Sequence, residues 1–198
     1  MNYLAHAYLS FNNPDILTGN MISDFVKGKT KFNYSAGIQK GIELHRSIDT
    51  FTDNHAATAK AKTFLRKQYR LYSGAFVDVI YDHFLATEEK QFEVYGNLES
   101  FSLITYASLD KYFEIMPLGF QSIFPHMKNH NWLYNYRLKD GIKKSFAGLA
   151  WRATYLNESD IAFAIFNQHY DEFKKCYDEF FPELKNYAGD YLRNLLAN

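Results

Sequence analysis

Histidine and aspartate residues lie inside otherwise apolar segments of this chain. The stretch GAFVDVIYDHFLA, residues 74–86, is apolar almost throughout except for Asp78, Asp82 and His83. At about 100° per residue, Asp78 and Asp82 share one edge of a helix, yet the segment lacks the wide polar face of a solvent-facing helix. If this helix is buried, its carboxylates need a cation, a hydrogen-bond donor or a metal beside them. Other segments of the chain must supply that partner.

Three other segments repeat this pattern of polar groups in apolar surroundings. They contain His6 in NYLAHAYL, Asp24 in LTGNMISDFVKG, and His45, Asp49 and Asp53 in GIELHRSIDTFTDN. The last three residues are spaced four apart, so they line one edge of a helix. Helical bundles hold transition metals with histidine and carboxylate ligands on facing helices. A set of nitrogen and oxygen donors without thiolate fits Mn²⁺, Fe²⁺, Mg²⁺ or Zn²⁺.

Structural roles would also explain several of these residues. A single histidine such as His6 is more often a hydrogen-bonded residue of the core than a metal ligand. Asp49 and Asp53 could simply face solvent, or Asp49 could pair with Arg46. Spacing alone is a weak indicator here, because no compact sequence motif defines this type of metal site.

The remaining histidines give weaker indications of a site. His83 projects about 100° away from Asp82 on a helix, so the two side chains could have different partners. His126 and His130 are also four residues apart, but they lie in the polar stretch PHMKNHNW together with Lys128. We therefore expect His126 and His130 to be surface residues.

The composition limits the classes of protein to consider. The chain has 198 residues, with 22 basic side chains, 22 acidic side chains and 18% aromatic residues. It has no net charge to attract nucleic acid or an anionic membrane, and no segment has the roughly 18 apolar residues of a membrane span. The single cysteine, Cys176, excludes an internal disulfide and a cysteine-based zinc site. We expect a cytoplasmic protein that does not bind nucleic acid.

Helical periodicity and helix-capping residues recur along the whole chain. Apolar residues are spaced by three and four, which is typical of helices rather than strands. The first predicted helix begins at Pro14, after the capping Asn13, and runs toward Lys27-Gly28; the next two cover residues 35–54 and 56–72. Another begins near Gly74, and the one after it begins at residue 98 and ends near Met116. Further helix is predicted from Phe120 to Ala153, with an interruption near Pro125, and from Asn157 to Pro182, which ends or kinks it. This pattern predicts an all-α helical bundle that forms a single domain over residues 1–198.

Several motifs, taken in order, resemble those of the acyl carrier protein phosphodiesterase family. They are NYLAHAYLS at the N-terminus, then GNMISDFVKG, GIELHRSIDTFTDN and DVIYDHFL, followed by NWLYNYRLKDGIKKSFAGLAWR and HYDEFKKCYDEFFPEL. The likeness covers nearly the whole chain in the same order and spacing, which is more specific than any single motif.

The resemblance implies an all-helical fold distantly related to the HD-domain metal phosphohydrolases. Members of the family hydrolyse the phosphodiester that joins 4′-phosphopantetheine to a serine of holo acyl carrier protein, and Mn²⁺ is the favoured metal. This chain departs from the HD pattern in one respect, because it has no His-Asp doublet and only Asp82-His83 in the reverse order.

With the resemblance in view, we assign the candidate residues to roles. The metal ligands are expected to be Asp24, His45, Asp82 and His83, with Asp78 and Asp49 as alternative ligands or as groups that orient the histidines. Asp24 and His6 are the expected catalytic groups, and His6 would act as the general acid for the serine leaving group. Arg46 and Lys27 would bind the phosphate charge.

Two other functions remain open from the sequence. One is a metal phosphohydrolase of nucleotides or another small phosphodiester, which would cleave small esters as well as a carrier protein. The other is a non-catalytic helical binding module in which the buried acids pair with arginine or lysine. Stoichiometric metal in the purified protein would argue strongly against the binding module.

Overall fold

Helices and short 3₁₀ turns make up the regular structure in a computed structural model that describes residues 1–152 and 158–197. The helices are α1 (Tyr3–Tyr8), α2 (Pro14–Ile22), α3 (Ala36–Asn54), α4 (Ala56–Tyr69), α5 (Ser73–Thr87), α6 (Leu98–Asp110), α7 (Leu118–Asn129), α8 (Trp132–Asn135), α9 (Lys139–Arg152), α10 (Asp160–Gln168) and α11 (Tyr170–Ala197). No strand occurs in the described ranges, so the all-α prediction is confirmed. The predicted boundaries at Ala153 and Asn157 lie outside the described residues.

Capping side chains begin three of the helices, and the predicted cap Asn13 is one of them. The side chains of Asn13, Ser35 and Asn97 each accept a main-chain N–H from two or three residues further on. Such caps satisfy donors that the first turn of a helix leaves without a partner. The starts of α2, α3 and α6 are therefore encoded locally.

The predicted interruption near Pro125 and the predicted end of a helix at Pro182 are wrong. Helix α7 continues through Pro125 to its end at Asn129, and the chain then turns at Asn131, whose φ is +42°. Likewise α11 continues through Pro182. An interior proline costs about 3 kcal/mol, but buried side chains next to each proline, such as Phe124 and Phe181, offset that cost by packing into the core.

Several helices end earlier than predicted because a 3₁₀ turn follows them. Helix α2 ends at Ile22 and the turn Ser23–Phe25 succeeds it, while the turns Arg70–Tyr72 and Phe113–Ile115 follow α4 and α6. Asp24 therefore lies in a short turn with an exposed side chain, and not inside an apolar helix as the sequence suggested.

Helix α5 runs through the centre of the core. Its apolar residues are buried around the whole circumference, and Asp82 and His83 are buried with them. Helices α1, α4, α9 and α11 pack against it, and the buried apolar side chains of the described residues form one continuous cluster. None of the helices in the described residues is both long and apolar enough to cross a membrane.

Helices α2 and α3 approach each other more closely than side chains would permit. A Cβ atom on Gly41 would lie 2.4 Å from the main-chain oxygen of Ile16 and 3.0 Å from the Cα of Gly19. A Cβ atom on Gly19 would lie 2.1 Å from the main-chain oxygen of Ile38. The two glycines thus let the backbones touch, which brings the C-terminal end of α2 to the middle of α3, next to His45.

We expect Gly41→Ala to lower the free energy of unfolding by about 1–3 kcal/mol, the usual cost of overpacking. Alanine normally stabilises a helix relative to glycine by about 1 kcal/mol, so the contact with Ile16 reverses the sign. Urea denaturation measures the change. Gly148→Ala in α9 is the matched control, because its Cβ would meet no atom of the described residues within 4 Å and stability should rise. Stabilisation by both substitutions would contradict the close packing.

Candidate metal centre

Three side chains from two helices bring potential metal ligands together. His6 of α1 and His45 and Asp49 of α3 each offer an atom, and these atoms lie within 4.8 Å of one another. The Nε2 atom of His45 is 3.1 Å from Asp49 Oδ2, and Nε2 of His6 is 3.3 Å from Asp49 Oδ1. The two imidazole rings stack with their centroids 3.9 Å apart. This arrangement is a candidate metal-binding triad.

Asp24 adds a second carboxylate at the rim of the triad. Its Oδ1 atom lies 3.2 Å from His45 Nε2, and its side chain is 69% exposed. The turn that follows α2 carries Asp24, so the close contact between α2 and α3 brings it to His45. His45 Nε2 therefore lies between two carboxylates, one on its own helix and one on the neighbouring segment.

The other ring nitrogen of each histidine is bound to Asn20. Nδ1 of His6 lies 2.8 Å from Asn20 Oδ1, and Nδ1 of His45 lies 2.7 Å from the main-chain oxygen of Asn20. Metal-binding histidines in proteins commonly donate their second N–H to such an acceptor, which orients the ring. Both Nε2 atoms consequently face the carboxylates.

The charges in this cluster shift the pKa values of its members in opposite directions. Burial and the neighbouring His45 lower the pKa of His6 to about 4. Burial also disfavours a charged His45, but hydrogen bonds to Asp24 and Asp49 outweigh that effect and raise its pKa to about 9. The hydrogen bond with His45 lowers the pKa of Asp24. Burial acts to raise the pKa of Asp49, but its contacts with both histidines lower it overall.

One buried atom indicates that a cation fits this site. Nε2 of His6 is buried without a hydrogen-bond partner among the described residues, although Asp49 lies close to it. A buried polar atom without a partner is costly and calls for an explanation. The donors around it are two imidazole nitrogens and carboxylate oxygens, a set that divalent transition metals prefer.

The amino group of Met1 lies next to the same cluster. It is 3.3 Å from Asp49 Oδ1 and 3.2 Å from Asp78 Oδ1. Asp78, which the sequence placed among the possible ligands, is thus an ion-pair partner of this amino group. The pair positions a positive charge beside Asp49.

The predicted ligand Asp82 lies apart from the triad and has a different partner. Its two oxygens accept the main-chain N–H groups of Leu4 at 2.7 Å and Ala5 at 3.2 Å. These donors belong to the first turn of α1, where a carboxylate is favoured by the orientation of the peptide dipoles. Asp82 therefore caps the helix that carries His6.

His83 also has both ring nitrogens bound elsewhere. Its Nδ1 atom is 2.7 Å from the main-chain oxygen of Tyr136, and Nε2 is 3.0 Å from the hydroxyl of Tyr170. Helix α5 points His83 toward α11 and Asp82 toward α1, as their separation of about 100° around a helix requires. His83 therefore connects buried elements, and the structure does not bring it to the triad.

The other candidate residues near the triad have partners outside it or lie on the surface. Asp53 continues the spacing of His45 and Asp49, but it pairs with Lys62 at 2.7 Å. Arg46 does not pair with Asp49, since its Nη2 atom donates to the main-chain oxygen of Val26 at 3.0 Å. Lys27 follows Val26 directly and is exposed, so Lys27 lies on the segment that continues from Asp24, and Arg46 of α3 lies beside that segment.

Sequence reasoning overlooked Asn20 entirely and gave Asp49 a secondary place. A signal for Asn20 was available, because it is an amide within the apolar stretch ILTGNMI and is fully buried in the structure. Its hydrogen bonds to residues 14 and 25 positions away could not be inferred from spacing along one helix.

Comparison with known proteins agrees with the motifs noted in the sequence. The family described as acyl carrier protein phosphodiesterase matches residues 1–184. The protein of that name from Photorhabdus laumondii is 29% identical to this chain over 188 residues, which cover 95% of both chains. The one from Klebsiella pneumoniae is 30% identical over 188 residues, which cover 95% of this chain and 97% of the relative. No solved structure matches the chain. The family match over most of its length shows that this chain belongs to the acyl carrier protein phosphodiesterase family.

Proposed function

We propose that this protein hydrolyses the phosphodiester between 4′-phosphopantetheine and the serine of holo acyl carrier protein, using a divalent metal. Water adds to phosphorus, the bond from phosphorus to the serine oxygen breaks, and a proton passes to that oxygen. The observation that carries the proposal is the triad of His6, His45 and Asp49 in a member of this family. Holo acyl carrier protein is then the macromolecular partner.

The residues proposed to hold the metal are His6, His45 and Asp49. Asp24 is either a further carboxylate ligand or a carboxylate that lies beside the metal without binding it. The set differs from the one expected from sequence, because Asp82 and His83 are engaged elsewhere. The chemistry that a divalent cation supplies when bound there is polarisation of the phosphoryl oxygens and activation of water at neutral pH. We propose Mn²⁺ as the metal, on the family resemblance and the mixed nitrogen and oxygen donors.

Asp24 is proposed to act on the reacting water. Its side chain is more exposed than that of Asp49, with 69% of its surface accessible against 40%, so a substrate can reach it. The hydrogen bond with His45 lowers its pKa, which keeps the carboxylate ionised at neutral pH. A carboxylate with a lowered pKa is a weak base but a good hydrogen-bond acceptor, so Asp24 is suited to hold and orient the reacting water.

His6 is proposed as a ligand rather than as the general acid considered from sequence. Burial and His45 lower its pKa to about 4, so the ring is neutral at physiological pH. Its Nδ1 atom is bound to Asn20, and its Nε2 atom faces Asp49. A neutral ring in this state offers a lone pair at Nε2 and no proton to a leaving group.

Arg46 and Lys27 are proposed to bind the phosphate. The hydrogen bond from Arg46 to Val26 fixes the guanidinium beside the segment that carries Lys27 and Asp24. Arg46 donates to a main-chain oxygen and Lys27 is exposed, and neither cation forms an ion pair within the described part of the chain. Positive charge next to the carboxylates suits a substrate that carries an anionic diester.

The experiment that tests this function is the intact mass of holo acyl carrier protein after incubation with the purified protein and Mn²⁺. We expect the mass to fall by that of the phosphopantetheinyl arm, and we expect no change when a chelator replaces Mn²⁺. An unchanged mass in Mn²⁺ would refute the proposed reaction. Loss of the arm by metal-free protein in chelator would refute the metal requirement. Parallel incubations with a nucleotide and a small phosphodiester show whether cleavage depends on the carrier protein.

A further inference from the structure

Asn20 connects both histidines of the triad and is itself completely buried. Its amide oxygen lies 2.8 Å from Nδ1 of His6, and its amide nitrogen donates to the main-chain oxygen of His6 at 2.8 Å and to Ser10 Oγ at 3.1 Å. Its main-chain oxygen lies 2.7 Å from Nδ1 of His45. One residue of α2 therefore contacts the ring of a triad histidine on α1 and of another on α3.

The partners of Asn20 determine which of its amide atoms faces His6. A main-chain oxygen can only accept, so the atom that faces the carbonyl of His6 must be the amide nitrogen. The other amide atom is then the oxygen, which can only accept, so His6 must donate from Nδ1. The hydroxyl of Ser10 agrees with this direction, because it donates to the same carbonyl at 2.8 Å and accepts from Asn20. A neutral His6 is thereby held with its proton on Nδ1.

The same reasoning applies to His45 through the main chain. The carbonyl of Asn20 can only accept, so Nδ1 of His45 is the donor in their hydrogen bond. Helix α2 positions this carbonyl, and the close contact of α2 with α3 sets its distance from His45. Nε2 is left as the atom that faces Asp24 and Asp49.

We propose that Asn20 is the positioning residue of the metal centre. It holds His6 through its side chain and His45 through its main chain, so that both Nε2 atoms face the position of the metal. This inference rests on the proposed metal-dependent function. Losing such a partner of a histidine ligand typically lowers metal affinity by about 10- to 100-fold. A purely structural role, in which Asn20 only joins α1 to α2, predicts a loss of stability without this specific effect on His6.

The test uses protein labelled with ¹⁵N-histidine and Zn²⁺ as a diamagnetic probe. In the metal-free wild type at pH 8, we expect His6 to carry its proton on Nδ1. In Asn20→Leu, we expect His6 to gain a population with the proton on Nε2, and the Kd for Zn²⁺ to rise by about 10- to 100-fold. In both proteins loaded with Zn²⁺, His45 should keep its proton on Nδ1, because a main-chain carbonyl remains at residue 20.

Two other variants separate positioning from general disruption. Asn20→Asp keeps an oxygen acceptor for Nδ1 of His6, and its second oxygen, protonated, can still donate to the main-chain oxygen of His6. The His6 tautomer and Zn²⁺ affinity should therefore recover toward the wild type. Ser10→Ala removes other hydrogen bonds of the same network but leaves the contact between Asn20 and His6, so the tautomer should not change. The wild type and these two variants test whether Asn20 sets the His6 tautomer even if Asn20→Leu does not fold.

The inference is overturned if wild-type His6 carries its proton on Nε2, or if a folded Asn20→Leu protein keeps both the His6 tautomer and the Zn²⁺ affinity of the wild type. It is also overturned if Asn20→Asp disrupts the tautomer as completely as Asn20→Leu. Failure of the wild type to bind Zn²⁺ would instead refute the metal centre itself. The affinity of the wild type thus separates failure of the proposed function from failure of the inference about Asn20.

Discussion

Replacing Asp49 with asparagine is expected to lower kcat/KM for holo acyl carrier protein by about 10²–10⁴-fold, the range typical of losing a positioned catalytic group. Asp49 lies 3.1 Å from Nε2 of His45 and 3.3 Å from Nε2 of His6. Asparagine keeps the shape of the side chain but removes the charge that a cation between these groups needs. The decrease is measured from the rate of appearance of apo acyl carrier protein at a limiting concentration of Mn²⁺.

Asp53→Asn is the control for this experiment, because Asp53 lies one turn further along the same helix. Its partner is Lys62, and its side chain is 71% exposed. An exposed ion pair of this kind contributes about 0–1 kcal/mol, so turnover should remain at the wild-type level. A folded Asp49→Asn protein with wild-type turnover would remove Asp49 from the proposed ligand set.

Mn²⁺ is expected to raise the thermal stability of the wild type and of His83→Ala, but to leave His45→Ala nearly unchanged. A ligand that binds only the folded state stabilises it by roughly 2.7 kcal/mol at a hundredfold excess over Kd. A rise in Kd of about a hundredfold on losing His45 would abolish most of this increment at the same metal concentration. Melting temperatures of the three proteins in Mn²⁺ and in chelator measure the effect.

The response of His83→Ala distinguishes a structural histidine from a ligand. His83 is buried and bound to Tyr136 and Tyr170, so its removal should lower the melting temperature equally with and without Mn²⁺. The sequence had suggested the opposite, with His83 as a ligand. A Mn²⁺-induced shift that disappears in His83→Ala and persists in His45→Ala would restore that earlier assignment.

The family, the all-α class and the local starts of helices are determined by the sequence itself. Asn13, Ser35 and Asn97 cap their helices through contacts within three residues, so their effect can be inferred from the order of residues alone. The pairing of His45 with Asp49 is also local, because residues four apart on a helix are neighbours. The motifs shared with the acyl carrier protein phosphodiesterase family extend over most of the chain.

Only the tertiary structure decides which of the buried polar residues meet. Asp82 and His83 are adjacent in sequence, but α5 directs one to the first turn of α1 and the other to Tyr136 and Tyr170. His6 and Asp49 are separated by 43 positions and come together because α1 and α3 pack beside α2. Periodicity describes the faces of one helix, whereas the partner of each face depends on how several helices pack. The close approach at Gly19 and Gly41, and the hydrogen bonds of Asn20, belong to that packing.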